Sequence, residues 1–181
     1  VRTTILSRAV IGIIYGAPES EYATAFLVDD CHALTVQHAF GDQRSAKGRQ
    51  ITFAVNVDGP ATSWTTTRGR VVAEGGIETR PRSGVTGRID DWALIRLRKC
   101  LGRIYGHVRL SARLPGTDEA IGIAGYPSDR PLTQGVSIDT NCHIHGMRSR
   151  ASLHDCAAVP GNSGGPLFRI AEENGRPILE G

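Results

Sequence analysis

Ser163 stands in the stretch Ala158-Val159-Pro160-Gly161-Asn162-Ser163-Gly164-Gly165-Pro166-Leu167, after a proline and among three glycines. Residues without a Cβ let the backbone turn tightly and bring its N–H groups close to another molecule. An exposed hydroxyl beside backbone donors aimed at a developing oxyanion is what acyl transfer requires. Near neutral pH a hydroxyl is a weak nucleophile, so it needs a base. That base in turn needs an acid to fix its tautomer and stabilise its charged form. Two other stretches supply those residue types. Leu34-Thr35-Val36-Gln37-His38-Ala39-Phe40 places a histidine directly after an apolar strand pattern. Asp90-Asp91-Trp92-Ala93-Leu94-Ile95-Arg96-Leu97 places an acid at the start of another. The order His38, Asp91, Ser163 is one in which such triads occur. Asp90 competes with Asp91 for the acid.

The elements that must position these groups read as strands. Ile51, Phe53, Val55 and Val57 alternate with Gln50, Thr52, Ala54 and Asn56, a period of two. Further short strands are expected at Tyr22–Val28, Ala33–Val36, Arg68–Ala73, Trp92–Leu97, Ala120–Tyr126, Gly135–Ile144 and Pro166–Ile170. Asn174-Gly175, between two apolar runs, predicts a hairpin because both residues tolerate positive φ. Short strands at this spacing, with 22 glycines and 9 prolines, argue for antiparallel barrels or a sandwich over long helices. Leu101–Thr117 reads as the connection between halves 1–110 and 111–181.

Composition narrows the function classes. Hydrophobic content of 40% with 22% charged residues is that of a globular protein. The apolar run Ala9–Tyr15 is too short to span a bilayer. It also lacks a signal-peptide layout, and the leading Val1 points to a trimmed N-terminus. A net charge of +3 is small, and the basic residues at Arg68/Arg70 and Arg96/Arg98/Lys99 alternate as on a solvated strand face, so neither nucleic acid nor membrane is expected as a partner. Four cysteines, Cys31, Cys100, Cys142 and Cys156, are compatible with two disulfides and an oxidising compartment, secreted or periplasmic. Of three possible pairings, Cys31–Cys100 with Cys142–Cys156 is favoured because each bond then staples one half. Zinc is the competing account, with Cys31-His32, Cys142-His143, His145, His154 and Cys156 as ligands. No Cys-x-x-Cys spacing supports it, and no metal or other cofactor is expected.

Together, Leu34-Thr35-Val36-Gln37-His38-Ala39, Asp91-Trp92-Ala93-Leu94-Ile95 and Gly161-Asn162-Ser163-Gly164-Gly165-Pro166-Leu167 resemble the three signature stretches of the trypsin/chymotrypsin-type serine proteases. Asn162 and the preceding His154-Asp155-Cys156 look more like bacterial secreted members, including the glutamyl-endopeptidase-like branch. The resemblance implies an all-β fold of two six-stranded antiparallel barrels, with the site in the cleft between them. It implies that His38 is general base and then general acid, that Asp91 orients it, and that Ser163 attacks a protein or peptide substrate. The N–H groups of Gly161 and Ser163 would form the oxyanion hole, and Ala157 and Ala158 would line the substrate pocket.

The chain departs from that pattern in three places. Asn162 stands where activated digestive members carry an aspartate, so it cannot pair with a newly cut N-terminal ammonium. Ala157 stands where trypsin-like enzymes place an acid, which removes the electrostatic reason for preferring basic side chains. Few residues follow Ser163, so the second barrel is expected to be incomplete, for want of a C-terminal segment. A protease-like binding protein without catalysis is one alternative. A quality-control protease of the HtrA type is another, although such proteins usually add a peptide-binding domain and carry few cysteines.

Overall fold

The computed structural model describes residues 10–16, 22–41, 45–75, 90–148, 151–173 and 176–181. Six strands of the first half close into a barrel: β1 (Ile11–Tyr15), β2 (Ala23–Leu27), β3 (His32–Thr35), β4 (Gln50–Val55), β5 (Thr65–Glu74) and β6 (Ala93–Leu97). Their spatial order is β1-β2-β3-β6-β5-β4, and every neighbouring pair runs antiparallel. Closure leaves no unpaired strand edge. The period of two does the work in β5, where Thr67, Gly69 and Val71 point inward while Arg68, Arg70 and Val72 face out. Ile13, Phe53, Val55 and Ile95 fill the interior, and burying side chains of this size stabilises by roughly 1.5–3 kcal/mol each.

Two strands break the alternation for a tertiary reason. All five residues of β2 and the first four of β1 are buried. One face of these strands lines the barrel and the other is covered by the second half of the chain. Tyr126, 1% exposed, reaches from that half to donate its hydroxyl to the carbonyl of Ile11 at 3.3 Å. The apolar run read only as too short for a membrane is therefore a strand buried on both sides.

After β6, a single turn of helix, α1 (Gly102–Tyr105), opens the connection. The chain then forms β7 (Ala120–Gly125), β8 (Ser137–Arg148), β9 (Ala151–His154), β10 (Leu167–Glu173) and β11 (Arg176–Glu180). These make a five-stranded sheet in the order β11-β10-β7-β8-β9. A second six-stranded barrel is thus not what the described residues form: β9 and β11 are edges, and closure would need a further strand bridging them. Strand β9 carries no period-two signal strong enough to have been anticipated. Asn174-Gly175 lies outside the described residues, but β10 and β11 flank it and pair with Glu173 opposite Arg176. The disulfides are Cys31–Cys100, tying the start of β3 to the chain after β6, and Cys142–Cys156, tying β8 to the segment after β9. Among the described residues no helix is long and apolar enough to cross a membrane.

Candidate active site

Strand pairing brings the histidine and the acid together. β3 runs antiparallel to β6 with Thr35 opposite Ala93, so the end of one strand and the start of the other share an edge of the barrel. His38 lies three residues beyond Thr35, on the 3₁₀ turn Gln37–Phe40, and Asp91 lies two residues before Ala93. The Asp91 carboxylate grips its neighbour at two points. Oδ1 accepts the backbone N–H of His38 at 2.9 Å, and Oδ2 meets ring Nδ1 at 2.6 Å. With the proton on Nδ1, Nε2 is left as an acceptor. Asp91 is 15% exposed and His38 39%, so the acid is sheltered while the imidazole reaches solvent. Asp90, exposed and at φ +65°, turns the chain into β6.

Ser163 sits on two successive turns. Asn162 N–H donates to Val159 O at 3.1 Å and Gly165 N–H donates to Asn162 O at 2.9 Å. Their third residues, Gly161 and Gly164, have φ of +92° and +87°, the left-handed backbone that such turns require at that position. Space demands glycine as well. A Cβ on Gly164 would lie 2.2 Å from the Thr24 carbonyl oxygen and 2.4 Å from Thr35 Oγ1. The serine turn thus lies against the residues leading into the histidine turn.

The Pro160–Gly161 and Asn162–Ser163 peptides are pinned by their carbonyls. Pro160 O accepts the N–H of Ser128 at 2.8 Å, and Asn162 O accepts Gly165. In a trans peptide the N–H points away from the carbonyl. The N–H groups of Gly161 and Ser163 are therefore aimed to the opposite side, and neither has an acceptor among the described residues. Ser163 Oγ, exposed, likewise makes no hydrogen bond among the described residues, to His38 or otherwise.

No protein-family model matches this chain, and no curated protein matches it by sequence. Solved structures do match. Neuropsin, a serine protease expressed in the limbic system of mouse brain, superposes with a TM-score of 0.61 at 15% identity, over 96% of this chain and 88% of that one. The Rv3671c protease in an inactive form gives 0.57 at 14% identity, over 89% of this chain and 72% of that one. A serine-to-alanine mutant of Rv3671c from M. tuberculosis H37Rv gives 0.58 at 13%, over 90% and 70%. The fold is chymotrypsin-like. These likenesses do not single out a glutamyl-endopeptidase branch.

Thr24 joins the halves of this fold at the Ser163 turn, and nothing in the motifs pointed to it. Wholly buried in β2, it donates through Oγ1 to Gly161 O at 2.7 Å and accepts the Tyr126 N–H at 2.9 Å. Its own N–H donates to Ser163 O at 3.0 Å, and its carbonyl accepts the Thr35 hydroxyl at 2.7 Å. A lone hydroxyl in the apolar run Ala23-Thr24-Ala25-Phe26-Leu27 is the sequence signal that could have found it, because a buried hydroxyl must have a partner.

Ala157 and Ala158, the expected pocket residues, lie exposed after β9. Asp139 Oδ2 accepts the Ala157 N–H at 2.9 Å, and that bond, followed by one from the Asn141 N–H, holds its carboxyl below the usual range. Asp155 anchors the same region, accepting the His143 N–H at 2.7 Å and meeting His145 Nε2 at 2.8 Å. These contacts lower its pKa to about 2. The cysteines of the zinc alternative are all spent in disulfides. Asn162 is buried, and its Oδ1 has no donor among the described residues.

Proposed function

We propose that this chain is a serine endopeptidase that hydrolyses protein or peptide substrates through an acyl-enzyme. The observation that carries the reading is the two-point grip of Asp91 on His38, which fixes the ring and leaves Nε2 to take a proton. In the first half-reaction, Ser163 Oγ bonds to the scissile carbonyl carbon as its proton passes to His38 Nε2. The carbonyl oxygen, now an oxyanion, takes hydrogen bonds from the Gly161 and Ser163 N–H groups. Collapse breaks the C–N bond, and the proton on His38 goes to the leaving amine. Water then repeats the sequence on the ester, with His38 as base and then acid, and frees Ser163. Asp91 stays ionised and stabilises the imidazolium. Bound substrate brings Ser163 Oγ into reach of His38, as catalytic hydrogen bonds often tighten only in the complex. Ala157 and Ala158 contact the side chain preceding the scissile bond, and no metal or cofactor takes part. Two disulfides are compatible with a secreted protein.

Covalent labelling with a fluorophosphonate tests this. A single adduct on Ser163, absent in Ser163→Ala, is the expected outcome. A folded protein that takes up no label would refute catalysis and leave the protease-like binding protein.

A further inference from the structure

The outer face of the barrel carries a block of cations that the described residues do not neutralise. Cross-strand pairing sets Tyr15 beside Thr52 and Thr52 beside Arg68, and Arg98 N–H donates to Arg68 O at 2.9 Å. The next outward row pairs Gln50 with Arg70, Arg70 with Arg96, and Arg96 with His32. Residues two apart on a strand share a face, so Arg68 and Arg70 stand beside Arg98 and Arg96 as a two-by-two array. Like charges directly opposed across strands destabilise a sheet.

No acid among the described residues relieves this repulsion. Among the described residues, the side chains of Arg68, Arg70, Arg96, Arg98 and Lys99 have neither an ion pair nor a hydrogen bond. The nearby carboxylates are engaged elsewhere: Asp29 with His32 and the Cys31 N–H, Asp30 with Arg103, and Glu74 with Ser45 and the Ala46 N–H. The row nearer α1 opens into a cleft of about 630 Å³. Arg68, Arg98 and Lys99 line it together with the hydroxyl-bearing Tyr15, Thr52, Thr66 and Thr67, with no carboxylate among the described residues.

Three cations and several hydroxyls around one open cleft suit a tetrahedral oxyanion on a carbohydrate. Guanidinium groups bind such oxyanions in bidentate fashion, and hydroxyls add neutral donors. Arginines in two rows extend the site along a chain of repeated charges. A single-stranded nucleic acid would call for several stacking aromatics, and this face offers only Tyr15. A lipid surface would call for large apolar side chains among the cations, where Thr52, Thr66 and Gln50 stand instead. Two disulfides fit an oxidising exterior, where sulfated glycans occur. We propose that this face binds a linear sulfated polysaccharide, with one sulfate seated between Arg68, Arg98 and Lys99. The site is separate from Ser163, and the proposal stands whether or not the chain is a protease.

Heparin is the probe, with the whole chain titrated at about 0.15 M salt, where distant surface charges are screened. R68Q/R98Q should weaken binding by about ten-fold or more, because two charge-assisted contacts are lost. R103Q/R113Q, with the same change in net charge, should bind as the unaltered protein does. Removing opposed charges does not threaten the sheet, and an unchanged near-UV dichroism spectrum verifies that R68Q/R98Q is folded. Equal weakening in both double variants would overturn the proposal, reducing it to nonspecific charge attraction. Equal binding of desulfated heparin would overturn it too. So would tighter binding of single-stranded DNA or of phosphatidylserine vesicles, each of which would reassign the face.

Discussion

Replacing Thr24 with valine isolates the hydroxyl that ties the barrel to the nucleophile turn. Valine matches threonine in shape, so no cavity forms and the β-branched strand residue is kept. The backbone bonds Thr24 N–H to Ser163 O and Thr35 Oγ1 to Thr24 O survive. What disappears is the donor to Gly161 O and the acceptor for the Tyr126 N–H. A buried polar group left without a partner costs about 1–3 kcal/mol. The Tyr126 amide is deeply buried and bears the full penalty, whereas Gly161 is half-buried and bears less. The sum is a loss of ~2–4 kcal/mol, read as a lower urea midpoint at unchanged slope. The same change frees Gly161 O, loosening the turn that aims the adjacent N–H. Loss of a whole oxyanion donor costs about 10²–10³-fold, so a loosened one should slow fluorophosphonate labelling by roughly ten-fold. Thr24→Ser, which keeps the hydroxyl, should restore most of the rate. A valine variant within about 0.5 kcal/mol of the parent, the usual scatter of neutral substitutions, and labelled equally fast would refute the coupling.

Asp91→Asn should leave the barrel folded but slow labelling at neutral pH on the order of 10⁴-fold, because an amide no longer holds the imidazole in the required tautomer. A rate within ten-fold of the parent would deny Asp91 its orienting role. The two disulfides should differ in weight. Cys31–Cys100 spans 69 residues and Cys142–Cys156 spans 14, so loop-closure entropy assigns about 4 and about 3 kcal/mol respectively. Paired serine variants, unfolded in urea, should preserve that ranking. Asp155, drawn down to about 2 by the His143 N–H and then by His145, supports the β8–β9 region above the ordinary carboxylate value of 3.8. That support should fade as pH falls from about 4 through 2. Protection of the His143 amide, taken relative to its intrinsic exchange rate at each pH, should fall across this window, and Asp155→Asn should remove the transition.

The serine turn could be read from the chain because its determinants are local. Proline before Gly161, and glycine wherever φ must be positive, specify two tight turns without help from the rest of the molecule. Alternation specified β5 most clearly, because one of its faces meets the barrel interior and the other meets water. It gave no signal for β1, which is buried on both faces, or for the short β9, whereas β2 was expected within Tyr22–Val28 although it too is buried throughout. Of the three possible pairings, the one favoured from the sequence, Cys31–Cys100 with Cys142–Cys156, is the one the structure forms.

Residue types and chain order were therefore enough to nominate His38, Asp91 and Ser163. The family resemblance already favoured Asp91 over Asp90, and the tertiary structure sets Thr35 opposite Ala93 and the Asp91 carboxylate against the imidazole. Only it revealed Thr24, Ser128 and Asp139 as the groups that orient the peptides around Ser163 and Ala157. It also turned an alternating run of arginines into a two-by-two array, since cross-strand register sets which charges face one another. The physical reason is sequence distance. Turns and strand periods are encoded within a few neighbouring residues, whereas Thr24 meets Gly161 across 137 positions that only chain folding can bring together.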